Sequence, residues 1–337
     1  MKYSRVSLDG LAYELAPNVV TSSELEKRVE PVYAALRFPL GQLEALTGIR
    51  ERRWWDPGFK LSEGATRAGK KALAKANVPA SALGALVYAG VCRESSEPAT
   101  ACAVAARLGA SRDCAVYDIS NACLGVLSGI VDVANRIELG QIKAGLIVSC
   151  ESAREINESM IASMIKTPTM EHFKLSIATL TGGSGAVAIL LTDGSFGAKG
   201  HRLLGGATQA AAEHWDLCRW EADFMRTDAP AVLKHGVELA RGTWQRFTAE
   251  LGWSSDGIDK TICHQVGGPH RAAVLSAFGV AQDKDFSTYE FLGNIGTVSL
   301  PLTAALAEER GFLETGDKVG FLGIGSGLNC MMLGWEW

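Results

Sequence analysis

The stretch Ala115-Val-Tyr-Asp-Ile-Ser-Asn-Ala-Cys-Leu-Gly-Val-Leu-Ser-Gly129 decides the fold. Val116-Tyr-Asp-Ile119 has the β-branched and aromatic content of a short strand, and the small and apolar residues that follow open a helix. Cys123 therefore stands at or near a helix N-terminus. Unpaired backbone N–H groups and the positive end of the helix dipole favour a thiolate there, and a basic partner would lower the thiol pKa further. Free cysteine is also among the most often buried residue types. The partners available elsewhere in the chain decide between a packed thiol and a nucleophile.

Outward from that stretch, 337 residues at 47% hydrophobic and 21% charged suffice for two packed units or one large duplicated one. The formal net charge of −4 comes from interspersed acids and bases. No basic run or aromatic-interleaved basic patch is present to track a phosphate backbone, which argues against nucleic acid as a partner. The first ten residues lack the apolar core of a signal peptide, and no apolar run reaches the ~18 to 20 residues that span a bilayer. A cytoplasmic protein without membrane insertion is expected. The eight cysteines, at 92, 102, 114, 123, 150, 218, 263 and 330, include no CxxC pair. Neither a zinc site nor a redox dithiol is indicated, and the thiols are expected to be free.

Before the central stretch, Val6 to Tyr13 alternates as a strand, and Thr21-Ser-Ser-Glu-Leu-Glu-Lys27 begins a helix capped by Thr21, Ser22 or Ser23. Thr47-Gly-Ile-Arg-Glu-Arg-Arg-Trp-Trp-Asp-Pro57 sets flat rings beside guanidinium groups. This makes Arg50, Arg52, Arg53 and Trp54 candidates for contact with an adenine nucleotide or its phosphates. Ser62 to Ala76 has the spacing of a small-faced amphipathic helix. Leu83 to Val91 reads as a buried strand, Arg93 to Pro98 as a loop, and Thr100 to Leu108 as a helix. After it, Ala144 to Ser149 is another apolar strand. The Met-rich segment 155–176 lines a pocket or forms a surface excursion, and Thr181 to Leu191 is a glycine turn running into a strand.

The second half repeats this order of elements. Ala85 to Gly90 before the Glu97 loop has its counterpart in Asp259 to His264 before Gln265-Val-Gly-Gly-Pro269. Strand 115–119 and Cys123 are echoed by Phe286 to Glu290, expected as a strand, and Asn294. Lys143-Ala-Gly-Leu-Ile-Val-Ser149 is echoed by Lys318-Val-Gly-Phe-Leu-Gly-Ile324. A duplication of this kind divides the chain into residues 1–192, carrying Glu97 and Cys123, and 193–337, carrying His264 and Asn294. It sets corresponding loops side by side about a pseudo-twofold axis, bringing Cys123, His264 and Asn294 together.

Asn121-Ala-Cys123, His264-Gln265 and Gly293-Asn-Ile-Gly296 together resemble the thiolase superfamily, specifically the β-ketoacyl synthase III type, from about residue 5 to 337. Thr47-Gly-Ile-Arg50 and the terminal Gly323-Ile-Gly-Ser-Gly-Leu-Asn-Cys330 belong to the same resemblance. It implies a duplicated five-layer αβαβα fold, a Cys-His-Asn triad and a homodimer. Cys123 would take an acyl group from a thioester, with its own amide and the Gly325-Ser326 turn holding the oxyanion. His264 and Asn294 would hold the second thioester's oxygen as its enolate develops. No metal and no resident cofactor are implied; the substrate is a fatty acyl-CoA, with acyl carrier protein as the other carrier open.

Glu97, in Glu94-Ser-Ser-Glu-Pro98, aligns with the loop that family members use to close the partner subunit's pocket. It resembles most the branch that joins two fatty acyl-CoA molecules head to head into a 2-alkyl-3-oxoacid, for long-chain olefin synthesis, with further enzymes processing the 3-oxoacid. There, Glu97 would remove an α-proton, a step that decarboxylating members do not need. No other acid is expected in a loop aimed at Cys123. A decarboxylating 3-oxoacyl synthase III that uses a malonyl thioester is the alternative reading. A non-catalytic subunit shaping an acyl tunnel is the third.

Overall fold

The computed structural model describes residues 1–197, 200–221 and 223–337. The first half of the chain supplies strands β1 (Ser7–Leu15), β2 (Asn18–Thr21), β3 (Glu51–Trp54), β4 (Ala85–Ala89), β5 (Ala115–Ile119), β6 (Ala144–Glu151) and β7 (Gly185–Thr192). The second supplies β8 (His201–Ala210), β9 (Cys218–Trp220), β10 (Met225–Thr227), β11 (Lys260–Cys263), β12 (Lys318–Gly325) and β13 (Asn329–Glu336). Nine strands form one continuous sheet in the order β11-β12-β13-β8-β1-β7-β6-β4-β5. Its two halves repeat one pattern. In the first, β4 runs parallel to β5 and β6, β7 is antiparallel to β6, and β1 is antiparallel to β7. In the second, β11 is parallel to β12, β13 antiparallel to β12, and β8 antiparallel to β13. The halves meet edge to edge where Ser7 and Leu8 pair with Arg202 and His201, extended by the Lys2–Gly205 bridge and by the Tyr3 and Leu203 amides donating to the Leu204 and Val6 carbonyls.

Strands β4, β6 and β7 are buried along their whole length, as expected of strands covered by helices on both faces. Period-2 alternation then assigns their side chains to two cores. Ala85, Val87 and Ala89 face a central core, whereas Leu86 and Tyr88 face an outer one. Twelve α-helices among the described residues, numbered in chain order, complete the fold. Helices α4 (Leu61–Ala76) and α5 (Thr100–Leu108) cover the outer face of the first half, and α9 (Ala229–Leu251) and α10 (Gly268–Phe278) that of the second. The central layer holds α6 (Gly125–Glu138) and α12 (Ser299–Glu309), which share the largest core with both half-sheets. The result is the five-layer αβαβα arrangement. It places the N-terminal ends of α6 and α12 beside one another, and the Thr297 hydroxyl accepts from the Val126 amide at 2.7 Å.

The remaining helices pack around this frame. Thr21 caps α1 (Ser22–Arg28) through a capping box with Glu24. Next come α2 (Glu30–Leu36) and α3 (Gln42–Thr47), where the buried Glu26 carboxylate accepts from the Gly41 and Leu43 amides at 2.6 Å each. The segment 155–176 is two helices, α7 (Arg154–Lys166) and α8 (Met170–Ser176), with Met160 and Met164 fully buried. The expected strand at Phe286 to Glu290 does not form. Only Asp285 bridges to Thr261, and α11 (Tyr289–Leu292) follows. Gln265 accounts for the difference, because its Oε1 accepts from the Thr288 and Tyr289 amides at 2.7 and 2.8 Å, which removes them from strand pairing.

Candidate active site

Cys123 lies between the end of β5 and the start of α6, in a tight turn. Ala122 adopts φ 44°, a left-handed conformation that costs a non-glycine residue roughly 1–2 kcal/mol and is kept only where its surroundings enforce it. Asn121 does so. Its Nδ2 donates to Ser128 Oγ at 2.9 Å, and its Oδ1 accepts from Asn329 Nδ2 at 3.2 Å. The facing wall is the end of β12, which must come very close: a Cβ on Gly323 would stand 2.5 Å from Leu124 Cδ2, and one on Gly325 3.1 Å from Leu124 Cγ. Glycine at both positions lets the strand reach the turn.

The main-chain amides of Cys123 itself and of Ser326 act on the sulfur to favour its anion. Gly325 instead backs onto the turn, a Cβ there lying 3.5 Å from the Cys123 nitrogen. The thiol is nevertheless pushed up to about 12, first by burial and then by Cys218 and Glu151. Position at a helix N-terminus thus does not make a thiolate here. Desolvation outweighs the dipole and the two amides.

Asn294 ends the turn before α12. Its main chain is clamped, donating to the Thr181 carbonyl at 2.9 Å and accepting from the Gly183 amide at 2.8 Å. The side-chain oxygen accepts from the Gly296 amide at 3.0 Å, so the Nδ2 hydrogens remain available to a ligand. His264 follows β11 and is 4% exposed; its amide donates to the Leu322 carbonyl at 2.8 Å. Neither ring nitrogen has a hydrogen-bond partner among the described residues. Burial, and secondarily His270, lowers its pKa to about 3, so the ring is neutral at physiological pH. A neutral imidazole carries one N–H donor and one acceptor.

Cys123, Asn294 and Ser326 line one cavity of about 440 Å³, with Ile156 and Met225 among its apolar walls. His264 and Glu97 are not among its lining residues. Glu97 sits on an exposed loop tip and precedes Pro98 through a cis peptide bond. The two ends of its loop are fixed, by Val91 and Cys92 amides donating to Glu151 and by Thr100 and Ala101 amides donating to Asp118.

Two features of the cavity escape the sequence reading. One is the hairpin β9–β10, which contributes Cys218, Arg219, Trp220 and Met225 to the wall. Its strands are three residues each, too short for periodicity to show. The other is Glu151, a buried acid at the end of β6 that lines the same cavity; Glu221, between β9 and β10, lines it too, contrary to the expectation that no acid but Glu97 lies in a loop aimed at Cys123. The available signal was a carboxylate closing an otherwise apolar strand, Ala144 to Glu151.

The arginine-tryptophan segment is largely structural. Arg52 is 0% exposed and donates to Ser22 Oγ at 3.0 Å and to the Val20 carbonyl, while Trp54 is 2% exposed and donates to the Gly182 carbonyl at 3.1 Å. Neither presents a face for a nucleotide. Arg53 is half-buried and donates to the Ala16 carbonyl; Arg50 is exposed. Among the described residues, no group of three or more His, Cys, Asp or Glu is placed to hold a metal ion, and no helix is long and apolar enough to cross a membrane.

Comparison with known proteins agrees with this arrangement. The model of the thiolase N-terminal domain matches residues 58–227, and that of the 3-oxoacyl-[acyl-carrier-protein (ACP)] synthase III C terminal matches residues 248–337. The chain is 59% identical to the acyl-CoA:acyl-CoA alkyltransferase of Shewanella oneidensis and 37% identical to that of Xanthomonas campestris, with 100% of both partners covered in each case. Identity to the β-ketoacyl-[acyl-carrier-protein] synthase III of Oceanobacillus iheyensis is 26%, over 98% of this chain and 99% of that protein. A cysteine-to-alanine variant of Xanthomonas campestris OleA superposes with a TM-score of 0.97 at 36% identity, covering 100% of this chain and 98% of the other. A cysteine-to-serine variant of OleA with bound lauric acid and lauroyl-CoA gives 0.96 at 36% identity, covering 99% and 100%. With such identity along its whole length, the chain belongs to the acyl-CoA:acyl-CoA alkyltransferase branch of the thiolase family.

Proposed function

We propose that the protein condenses two fatty acyl-CoA thioesters, without decarboxylation, into a 2-alkyl-3-oxoacid through an acyl-Cys123 intermediate. The observation that carries this reading is the meeting of Cys123, Asn294 and Ser326 in one cavity, with amides of Cys123 and Ser326 aimed at the sulfur. Cys123 attacks the first thioester as a thiol. Its proton leaves with the coenzyme A sulfur, with the neutral His264 ring as the relay. The tetrahedral oxyanion is held by the Cys123 and Ser326 amides. The second thioester then places its carbonyl oxygen against Asn294 Nδ2 and the His264 N–H. Glu97 takes its α-proton, the enolate attacks the acyl-cysteine carbonyl, and the Cys123 sulfur leaves. Hydrolysis of the remaining thioester gives the oxoacid and coenzyme A.

Glu97 is assigned to this step across a homodimer. Strand β5 is the outer edge of the sheet, pairs among the described residues only with β4, and is half-buried along its length. Such an edge is a template for a second copy. Asp118 on β5 anchors the end of the Glu97 loop, so a partner paired there receives that loop. The sequence intervals agree with this assignment: the glutamate and cysteine substituted in the solved OleA variants stand the same number of positions apart as Glu97 and Cys123. The end of β7 at Thr192 supports a division into halves at 192/193. A cytoplasmic setting and a place in long-chain olefin synthesis complete the reading. Incubation with one long-chain acyl-CoA and no malonyl donor tests it. A 2-alkyl-3-oxoacid is expected; product only on addition of a malonyl thioester would favour the decarboxylating alternative, and absence of acyl-Cys123 by mass spectrometry the non-catalytic one.

A further inference from the structure

Glu151 is 3% exposed, lines the cavity, and forms none of the ion pairs found among the described residues. Its two carboxylate oxygens are gripped separately, Oε1 accepting from the Val91 amide at 2.9 Å and Oε2 from the Cys92 amide at 3.0 Å. Those residues begin the loop that runs to Glu97. Against the carboxylate lies Gly296, at φ 54°, where a Cβ would stand 3.5 Å from both Glu151 Cδ and Oε1. That glycine's amide in turn fixes the Asn294 side chain. One carboxylate therefore touches the loop of the first half that leads to the proposed base and the turn of the second half that carries the proposed enolate donor.

We infer that Glu151 is a positioning residue for condensation, fixing the Asn294 turn beside its own chain's Cys123 and the start of the Glu97 loop that its chain offers to the partner's site. Two amide donors on two oxygens require a carboxylate. A glutamine of the same shape offers one oxygen and one NH₂ group, setting a donor against a donor. An aspartate keeps both oxygens but withdraws them by one methylene, so it cannot reach the amides and the Gly296 turn at once.

The inference rests on the condensing reading for its product assay only. Wild type, Glu151→Gln and Glu151→Asp are compared for acylation of Cys123 by intact mass, for product formation, and for the pH profile of Cys123 alkylation. Both variants should acylate within a few-fold of wild type, and Glu151→Gln should condense about 10- to 100-fold more slowly, the scale of a small misplacement of reacting groups. Glu151→Asp should recover part of that loss. In Glu151→Gln the alkylation profile should also move to lower pH, because a charge opposing the thiolate is gone. Cys92, Cys150 and Tyr88 also face this carboxylate, and burial raises the pKa of each. Wild-type condensation in both variants, or equal losses of acylation and condensation, overturns the inference. If Glu151→Gln does not fold, the Asp variant alone carries the comparison. If wild type makes no product from acyl-CoA alone, the condensing reading fails, and the same variants are compared with a malonyl thioester as second substrate.

Discussion

A thiol held near 12 sets the order of events at Cys123. In the free enzyme it should resist alkylation at neutral pH, its rate rising about tenfold per pH unit on the alkaline side, as measured by iodoacetamide labelling and peptide mass spectrometry. Labelling that saturates near pH 7 would mean that a cation reaches the sulfur. Asn294→Ala should leave acylation largely intact and slow condensation by about 10²- to 10³-fold, the usual effect of removing one donor to a developing oxyanion. His264 and His270 stay neutral when folded, at about 3 and about 4, whereas they protonate near 6.5 in the unfolded chain. The unfolded state therefore binds more protons below pH ~6.5, and stability falls as pH drops from there, by up to about 1.4 kcal/mol per pH unit for each ring. Urea midpoints of His270→Leu against wild type, from pH 7 to 5, should show the variant losing less on acidification. Cys123, His264 and Asn294 were legible as motif residues because each carries a distinctive neighbour. Glu151 was not, because its setting comes from amides at 91–92 and a glycine at 296, far away in sequence.

At the scale of elements, the site depends on a strand end pressed against a helix start. Gly323→Ala puts a methyl 2.5 Å from Leu124 Cδ2 and 2.7 Å from Leu127 Cδ1. It should destabilise by about 1–3 kcal/mol through overpacking and lower the acylation rate, since the Ser326 amide must retreat with the strand. Thermal melts and acyl-enzyme formation check this, and a variant with both unchanged would show that β12 does not set the amide's position. Helix α4 is readable from its amphipathic period and the buried strands from their continuous apolar runs. Where tertiary hydrogen bonds override local preference, reading failed: Gln265 captures the Thr288 and Tyr289 amides and turns an expected strand into α11. Hairpin β9–β10 matters through the cavity it covers, and nothing local in its sequence announces that.

For the whole molecule, the duplication explains why the site lies where it does. Matching turns at the starts of α6 and α12 converge from two half-sheets, so Cys123 and Asn294, the proposed nucleophile and enolate donor, reach one cavity from different parts of the chain. The repeat of elements made this visible in the sequence. The proposed base was not legible in the same way, because Glu97 is exposed and outside its own chain's cavity. Mixing inactive Cys123→Ala and Glu97→Gln subunits, with one long-chain acyl-CoA and no malonyl donor, tests the central claim most directly. Random re-association makes half of the dimers mixed, each with one site holding both groups intact, so about a quarter of wild-type condensation should return. A mixture as inactive as its parents would contradict the account.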